Sequence, residues 1–375
     1  MQKTEFDVAI VGAGIIGLAM AYTAAKKGQK VILFERSPRP MGATVRNFGM
    51  IWPIGQPLEN LDMAMRSRET WNQLSEKAGF WAANTGAMLL AYEDDELAVL
   101  NEFYETRKND GYDMQLINTE KTIKKSSVAN PLGLKGALHS KTEINIDPKE
   151  ATSQILDYLK TVMGVEIKYN TSITQIDFPW LSNGIDMWRA EQIYICSGVD
   201  FETLYPDIFS KSELIKCKLQ MMRTTHQPNG WTLGPTLAAG LTLQHYGSFA
   251  HCNSLEALKN RYSNEYPEYN KFGIHVLVSQ TSFGEVTIGD SHEYGDEIDP
   301  FDKNKINALI LKYLNKFANF PKLDIAETWH GIYSKMPEQP AFINKPEEGV
   351  TIITGLSGAG MTLSFGLAEN IINGQ

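Results

Sequence analysis

One stretch constrains this chain more than any other: FDVAIVGAGIIGLAMAYTAAKKGQKVILFER, residues Phe6 to Arg36. Val8 to Val11 reads as a short apolar strand. Ile15 to Lys27 has helical spacing rich in Ala, Leu and Met, Gly28 ends that helix, and VILFE at 31–35 reads as a second strand. Both strands are apolar throughout, as strands buried on two faces are, so a parallel sheet covered by helices is the expected architecture.

The glycines sit where such a unit meets a dinucleotide. Gly12 permits the tight turn, Gly14 lets a pyrophosphate approach the backbone, and Gly17 lets helix and strand pack closely. The helix N-terminus offers free N–H groups to phosphate. Glu35, ending the second strand, is placed to accept from a ribose hydroxyl. The alternative is a glycine-rich turn that binds nothing. The motif alone does not separate NAD from FAD. After the second strand the βαβ pattern stops, however, and PMGATVRNFGMIW and long helices follow. TIITGLSGAGMTLSFGLAENI then supplies a second strand, glycine turn and helix near the end. A chain that returns to one ligand from both ends suits a long dinucleotide, FAD.

Between these ends, helical patterns run through LDMAMRSRETWNQLSEKAG and DDELAVLNEFYETRKNDG, with NTGAMLLAYE as a strand between them. A helix opens near Pro148, and VEIKYN and QIYICSG read as strands. From Lys216 to Asp290 extended segments separated by turn residues suggest an antiparallel sheet, and KINALILKYLNKFA is a further helix. The expected fold is α/β: a Rossmann-like FAD-binding domain made of 1–80, 147–215 and 325–375, with an inserted antiparallel-sheet (α+β) substrate-binding domain made of 81–146 and 216–324.

Composition narrows the class. Hydrophobic residues make up 43% and charged residues 21%, an ordinary globular mix, and the net charge of −9 argues against a nucleic-acid surface. The three cysteines, Cys196, Cys217 and Cys252, form no CxxC pair, which suits a reducing compartment. The N-terminal apolar run belongs to the glycine motif rather than to a signal peptide, and no integral membrane segment is expected, so a cytoplasmic protein is the simplest expectation. His226, His251, His275 and His292 show no metal spacing, so no metal is expected. No GxSxG nucleophile motif occurs.

The blocks, taken in order, resemble the D-amino-acid-oxidase-like FAD oxidoreductases, which include glycine oxidase and sarcosine oxidase. The carrying residues are VGAGIIGLAMAYTAAKKGQKVILFE, MGATVRNFGM, INIDPKEATSQILDYL, IYICSGVDFETL, GEVTIGDSHEYGD and ITGLSGAGMTLSFGLAE. The resemblance implies that Gly12, Gly14, Ile15, Ile16, Gly17 and Glu35 hold the ADP half of FAD, with Arg36 beside the adenosine. It lays Ala43, Thr44, Arg46, Asn47, Phe48 and Gly49 along the diphosphate, ribityl chain and flavin. Ser197 and Gly198 fall near the pyrophosphate, and Gly355, Gly358, Gly360, Met361 and Thr362 at the flavin's pyrimidine edge. Members with covalent flavin carry a His or Cys at the attachment points. GATVRNFGM and SKMPEQP have neither, so non-covalent FAD is expected.

The same resemblance implies hydride transfer from the carbon bearing nitrogen to flavin, followed by imine hydrolysis, with oxygen or another acceptor reoxidising the flavin. Many members that oxidise amino acids carry W-x-G-x-R-P, whose Arg clamps the carboxylate. This chain reads WHGIYSKMPEQP, with Tyr333 in that place, and a hydroxyl cannot replace a bidentate guanidinium. Candidate substrate groups are Arg46, Arg223, Tyr246 and Lys335, with His245, His330 and Tyr333 as candidate catalytic residues. Arg46 is equally suited to cofactor phosphate, Arg223 to a surface pair, and Lys335 to solvent. Either histidine could be structural, and Trp329 is read as packing. Separated cations with hydroxyl and imidazole donors suit a tetrahedral dianion. RNFGMIWP, GPTLAAGLTLQHY and WHGIYSKMPE look most like a phosphonate-catabolism subgroup, which suggests an aminoalkylphosphonate such as N-methylated 2-aminoethylphosphonate. The alternatives are oxidation of a 2-hydroxy acid with His245 or His330 as base, oxidation of an amino acid, or a flavin-binding subunit that needs a partner. An oligomer is possible.

Overall fold

A computed structural model describes residues 5–374. The opening motif folds as expected: strand Glu5–Val11, helix Ile15–Lys26 and strand Val31–Phe34. Glu5–Val11 pairs in parallel with Val31–Phe34 on one side and Met187–Ile195 on the other. Val350–Thr354 and Glu166–Lys168 extend this parallel core at its two sides. The start, middle and end of the chain thus contribute to one parallel core, with antiparallel strands added at its edges.

Helices cover this sheet because their packing faces are small or closely fitted. The Ala-rich helix Ile15–Lys26 lies against the final helix Gly360–Asn373, and Tyr22 meets the ring of Phe365 edge-on at 5.9 Å. Helix Leu58–Ala78 packs on the same final helix. A Cβ at Gly366 would lie 2.3 Å from the Met63 carbonyl oxygen, so only glycine permits that approach. The Trp71 indole N–H donates to the Met361 carbonyl at 2.7 Å, and Phe365 is fully buried. Burial of one such aromatic ring is worth about 1.5–3 kcal/mol.

The second sheet is centred on Ile215–Thr224. Ile325–Lys335 pairs along its whole length on one side, while Val286–Gly289 and then Glu293–Gly295 pair on the other. The sheet is not wholly antiparallel, as the sequence suggested. Thr236–Ala239 pairs in parallel with Ala87–Ala91, because this joint connects two segments far apart in the chain rather than the arms of a hairpin. The sequence placed Ile325–Lys335 with the nucleotide unit, but its ladder puts it in this second sheet. The stretch read as extended also contains a helix, Leu255–Glu265, whose Leu255, Leu258 and Tyr262 recur at helical spacing and are buried. A third, small sheet joins Met50–Ile51, Ile144–Ile146 and Ala82–Ala83.

Candidate active site

A cavity of about 830 Å³ opens at the carboxyl ends of the parallel strands. Val11, Phe34, Cys196 and Thr354 line it, each at or just beyond the end of its strand. Leu219, Met221, Leu277 and Tyr333 line it from the second sheet. Ligands of open α/β sheets bind at this edge.

The first glycine turn is shaped by close approaches. Gly12 has φ +101°, and a Cβ there would lie 2.5 Å from the Cys196 carbonyl oxygen. A Cβ on Gly17 would lie 1.9 Å from the Gly12 carbonyl oxygen, so Gly17 serves packing and is not among the lining residues. Gly14 faces the cavity, where a Cβ would meet only Thr44 Oγ1, at 3.3 Å. That hydroxyl accepts the Ile15 N–H at 2.8 Å and joins the 43–49 loop to the helix start. Ile16 also lines the wall.

Glu35 is buried and accepts the Ala13 N–H at 3.2 Å and the Ser37 N–H at 3.0 Å, which braces its carboxylate beside the turn. Arg36 lines the same end and pairs with Asp200 at 2.8 Å. Ser197 and Gly198 lie opposite, and the Gly198 carbonyl accepts from the Thr354 hydroxyl at 2.7 Å. That bond ties the loop at 198 to the C-terminal glycine turn.

The loop at 43–49 is held by Asn47. Its amide donates to the Ala43 carbonyl at 3.1 Å and the Thr44 carbonyl at 2.9 Å, and its oxygen accepts the Gly49 N–H at 2.7 Å. Ala43, Thr44, Arg46, Asn47 and Phe48 line the cavity. Gly49 does not. Its φ is +73° and a Cβ would lie 1.9 Å from the Ile146 carbonyl oxygen, so glycine is required there by backbone crowding. From the chain's end, Gly355, Gly358, Gly360, Met361 and Thr362 all reach the wall. The Thr362 hydroxyl is already engaged, accepting the Trp52 N–H at 2.9 Å.

At the other part of the cavity the structure sorts the candidate substrate residues. Tyr333, Lys335, His245, Tyr246 and Arg46 line it, and Arg223 and His330 do not. The cavity meets the strand Ile325–Lys335 only along its last residues, 331–335, and His330 lies before them on the face opposite Tyr333 and Lys335. There its Nδ1 lies 2.9 Å from Asp302. Arg223 sits 3.7 Å from both Glu285 and Glu327, with its guanidinium over the Trp329 ring at 5.3 Å. Arg46 donates to the His330 carbonyl at 3.2 Å. Lys335 stands over the Tyr294 ring at 4.6 Å, and among the described residues no carboxylate lies within 4.0 Å of its amine.

Among the residues of this wall missed as site residues from sequence are His275, Asp290, His292 and Tyr294. A hairpin brings them together. Leu277–Gln280 and Val286–Gly289 pair antiparallel, and His275 and Asp290 exchange backbone hydrogen bonds just past the ladder. Pairing FGIHVLVSQ with GEVTIGD across their turn, rather than seeking metal spacings along the chain, was the signal available. His245 stacks on His275 with ring centroids 3.8 Å apart and lies 4.4 Å from the His292 ring. His275 Nε2 is 3.1 Å from Asp290 Oδ1.

Burial dominates the electrostatics here. It holds His245 and His275 well below the usual histidine pKa, and it lowers His292 to about 4. Burial also pushes Asp290 well above the carboxylate range and Tyr333 well above the usual phenol. The Cys217 thiol, whose chain neighbours this wall, is pushed up to about 12. One ligand atom from each of the three histidines lies within 4.8 Å of the others. The sequence spacing gave no sign of this grouping. With the His245 and His275 planes only 25° apart, their in-plane lone pairs run side by side rather than converging.

A parallel sheet whose carboxyl ends feed a long cavity roofed by a second sheet, with glycine turns from both ends of the chain on its wall, is the arrangement in which α/β folds bind dinucleotides. The model of the family described as FAD dependent oxidoreductase matches residues 7–373, and the chain belongs to that family. The chain is 25% identical over 203 residues to glycerol 3-phosphate dehydrogenase of Caloramator mitchellensis, covering 52% of this chain and 42% of that one. It is 28% identical over 127 residues to monomeric sarcosine oxidase of Bacillus sp. (strain B-0618), covering 33% of each. The chain thus spans less than half the length of these curated relatives. The structure of L-proline dehydrogenase from P. horikoshii superposes with a TM-score of 0.80 at 22% identity, covering 100% of this chain and 95% of that one, a likeness of fold. The residues present fit FAD: Gly14 offers bare backbone to the cavity, Glu35 a braced carboxylate, and Gly358 and Gly360 a second open turn. Among the described residues no helix is long and apolar enough to cross a membrane.

Proposed function

We propose that this protein oxidises a small amine bearing an anionic group, with an aminoalkylphosphonate, such as N-methylated 2-aminoethylphosphonate, as the best substrate. The observation that carries this is Lys335, a cation on the cavity wall with no carboxylate within 4.0 Å among the described residues, beside Tyr333 in place of a carboxylate-clamping arginine. Sarcosine oxidase among the relatives supports the amine, and glycerol 3-phosphate dehydrogenase supports a tetrahedral dianion.

Bound non-covalently, FAD supplies the two-electron acceptor. Gly12, Gly14, Glu35 and Arg36 hold its ADP half, and Thr44, Asn47, Ser197 and Gly198 its middle. Gly358, Gly360 and Met361 present backbone to its ring, and the start of helix Gly360–Asn373 favours negative charge there. The thiol of Cys196, pushed up by burial, makes a poor nucleophile for covalent attachment. Segments 1–80, 147–215 and the chain after 335 form the cofactor unit in this reading, and 81–146 and 216–335 the substrate unit. Lys335 and Arg46 hold the anion, and Tyr246 and Tyr333, kept protonated by burial, donate hydrogen bonds and exclude water.

The test is anaerobic bleaching of the purified flavoprotein by glycine, sarcosine, a D-amino acid, 2-aminoethylphosphonate, its N-methyl form and a 2-hydroxy acid. Bleaching by the phosphonates supports the proposal. Bleaching by amino acids alone refutes the phosphonate. The His275–Asp290 pair at 3.1 Å favours a second reading, oxidation of a hydroxy acid with His275 taking the hydroxyl proton. Product analysis separates the two, since only the amine route releases ammonia or methylamine.

A further inference from the structure

We infer that His245, His275 and His292 complete, beside Lys335, the seat for the substrate's anionic end, and that they take it as a dianion together with a proton from solvent. This rests on the reading above that substrate enters this cavity, and it assigns a role to His275 and His292, which neither sequence motif nor family likeness marks.

The three imidazoles come from separate segments, the short helix Leu241–His245 and the two sides of the hairpin, yet their nitrogens gather within 4.8 Å and face one cavity. Packing histidines in a pile has no structural advantage, because buried polar atoms need partners. His275 Nδ1 is buried with none. His292 Nδ1 lies 3.1 Å from the Gly273 carbonyl, so it carries the hydrogen and Nε2 keeps the lone pair while the ring is neutral. No hydrogen bond engages the His245 ring, which makes only ring contacts among the described residues. A neutral cluster is thus short of donors until a proton arrives.

A tetrahedral dianion presents three terminal oxygens to three rings, whereas a carboxylate presents two in one plane. Its charge favours imidazolium at this site, which the empty, buried cluster disfavours. The other groups facing the cluster agree in sign. Lys335 opposes protonation of His245 and His292 until an anion offsets it. Tyr246, Tyr294, Tyr333 and Cys217 are all shifted upward and remain neutral donors. Burial favours the protonated form of Asp290, which limits its repulsion. The stacked rings do not converge as metal ligands do, so metal binding becomes an outcome of the test.

The test uses the flavin-loaded protein and methylphosphonate, followed by perturbation of the flavin absorbance from about pH 8.5 to about pH 9.5, where the phosphonate is chiefly the dianion and lysine is still protonated. Uptake of one proton makes the dissociation constant rise about tenfold per pH unit. Acetate is expected to bind at least about tenfold more weakly at equal ionic strength. His245→Gln and His292→Gln are expected to flatten the slope while the flavin spectrum is retained. A pH-independent methylphosphonate affinity in the unaltered protein overturns the inference, as does binding abolished by a chelator and restored by a divalent metal. If phosphonate amines bleach the flavin with a half-saturating concentration indifferent to both substitutions, the seat falls and the amine reading stands. If methylphosphonate shows the slope while no amine bleaches the flavin, the seat stands and the amine reading falls.

Discussion

Replacing Lys335 by methionine keeps an unbranched apolar stem and removes the charge. No salt bridge is broken, because no carboxylate lies within 4.0 Å of the amine among the described residues, and the lost contact with the Tyr294 ring at 4.6 Å is worth about 0.5–1 kcal/mol of stability. Folding and flavin content should therefore survive. A charge-assisted hydrogen bond to a substrate anion is worth about 1.5–3 kcal/mol. At about 1.4 kcal/mol per tenfold, the half-saturating concentration should rise roughly 10- to 150-fold. The limiting rate of flavin reduction should change little, because the contact is to the non-reacting end of the substrate. The deficit should also depend on pH. Burial chiefly, and Lys335 in addition, hold His245 and His292 down, so removal of the lysine eases their protonation and the loss shrinks as pH falls. Anaerobic stopped-flow with N-methyl-2-aminoethylphosphonate measures both parameters. Equal deficits for this substrate and for an uncharged amine, or no deficit, would refute the reasoning.

Other perturbations read different parts of the structure. Gly17→Ala sets a Cβ 1.9 Å from the Gly12 carbonyl oxygen and should cost at least about 2 kcal/mol, seen as a lower Tm. Gly14→Ala meets only Thr44 Oγ1 at 3.3 Å, so Tm of the flavin-free protein should hold while flavin affinity drops. Arg223→Met and His330→Gln lie outside the cavity and should leave the pH profile of flavin reduction unchanged, and a shifted profile would return them to the site. Burial raises Glu143 to about 7 from an ordinary 4.5, so the folded state binds the proton more tightly than the unfolded chain. Stability linked to Glu143 is therefore complete below about 4.5 and lost as pH rises through 7, by up to about 3 kcal/mol. Denaturant titrations of Glu143→Gln should show that dependence flattened.

The opening strand, helix and strand were legible because each is specified locally, by an apolar run, helical spacing and glycine positions. The glycine-lined wall of the cavity was legible for a related reason. Backbone approach needs glycine at a few places, and Gly12, Gly14 and Gly358 stand beside elements that the pattern identifies. Helix Leu255–Glu265 escaped because its short apolar repeat lies among turn residues.

Sequence by itself determined that a parallel sheet with a glycine turn would form, and that both ends of the chain would meet at one place, the cavity they line. It could not say which faces of Ile325–Lys335 meet the cavity. Tyr333 and Lys335 share one face and His330 stands on the other because the ladder with Ile215–Thr224 sets the face, and the cavity meets only residues 331–335 of that strand. Nor could it gather His245, His275 and His292. Their separations match no ligand motif, and only a hairpin register and a helix end, set by long-range packing, bring their rings to within 5.1 Å of one another.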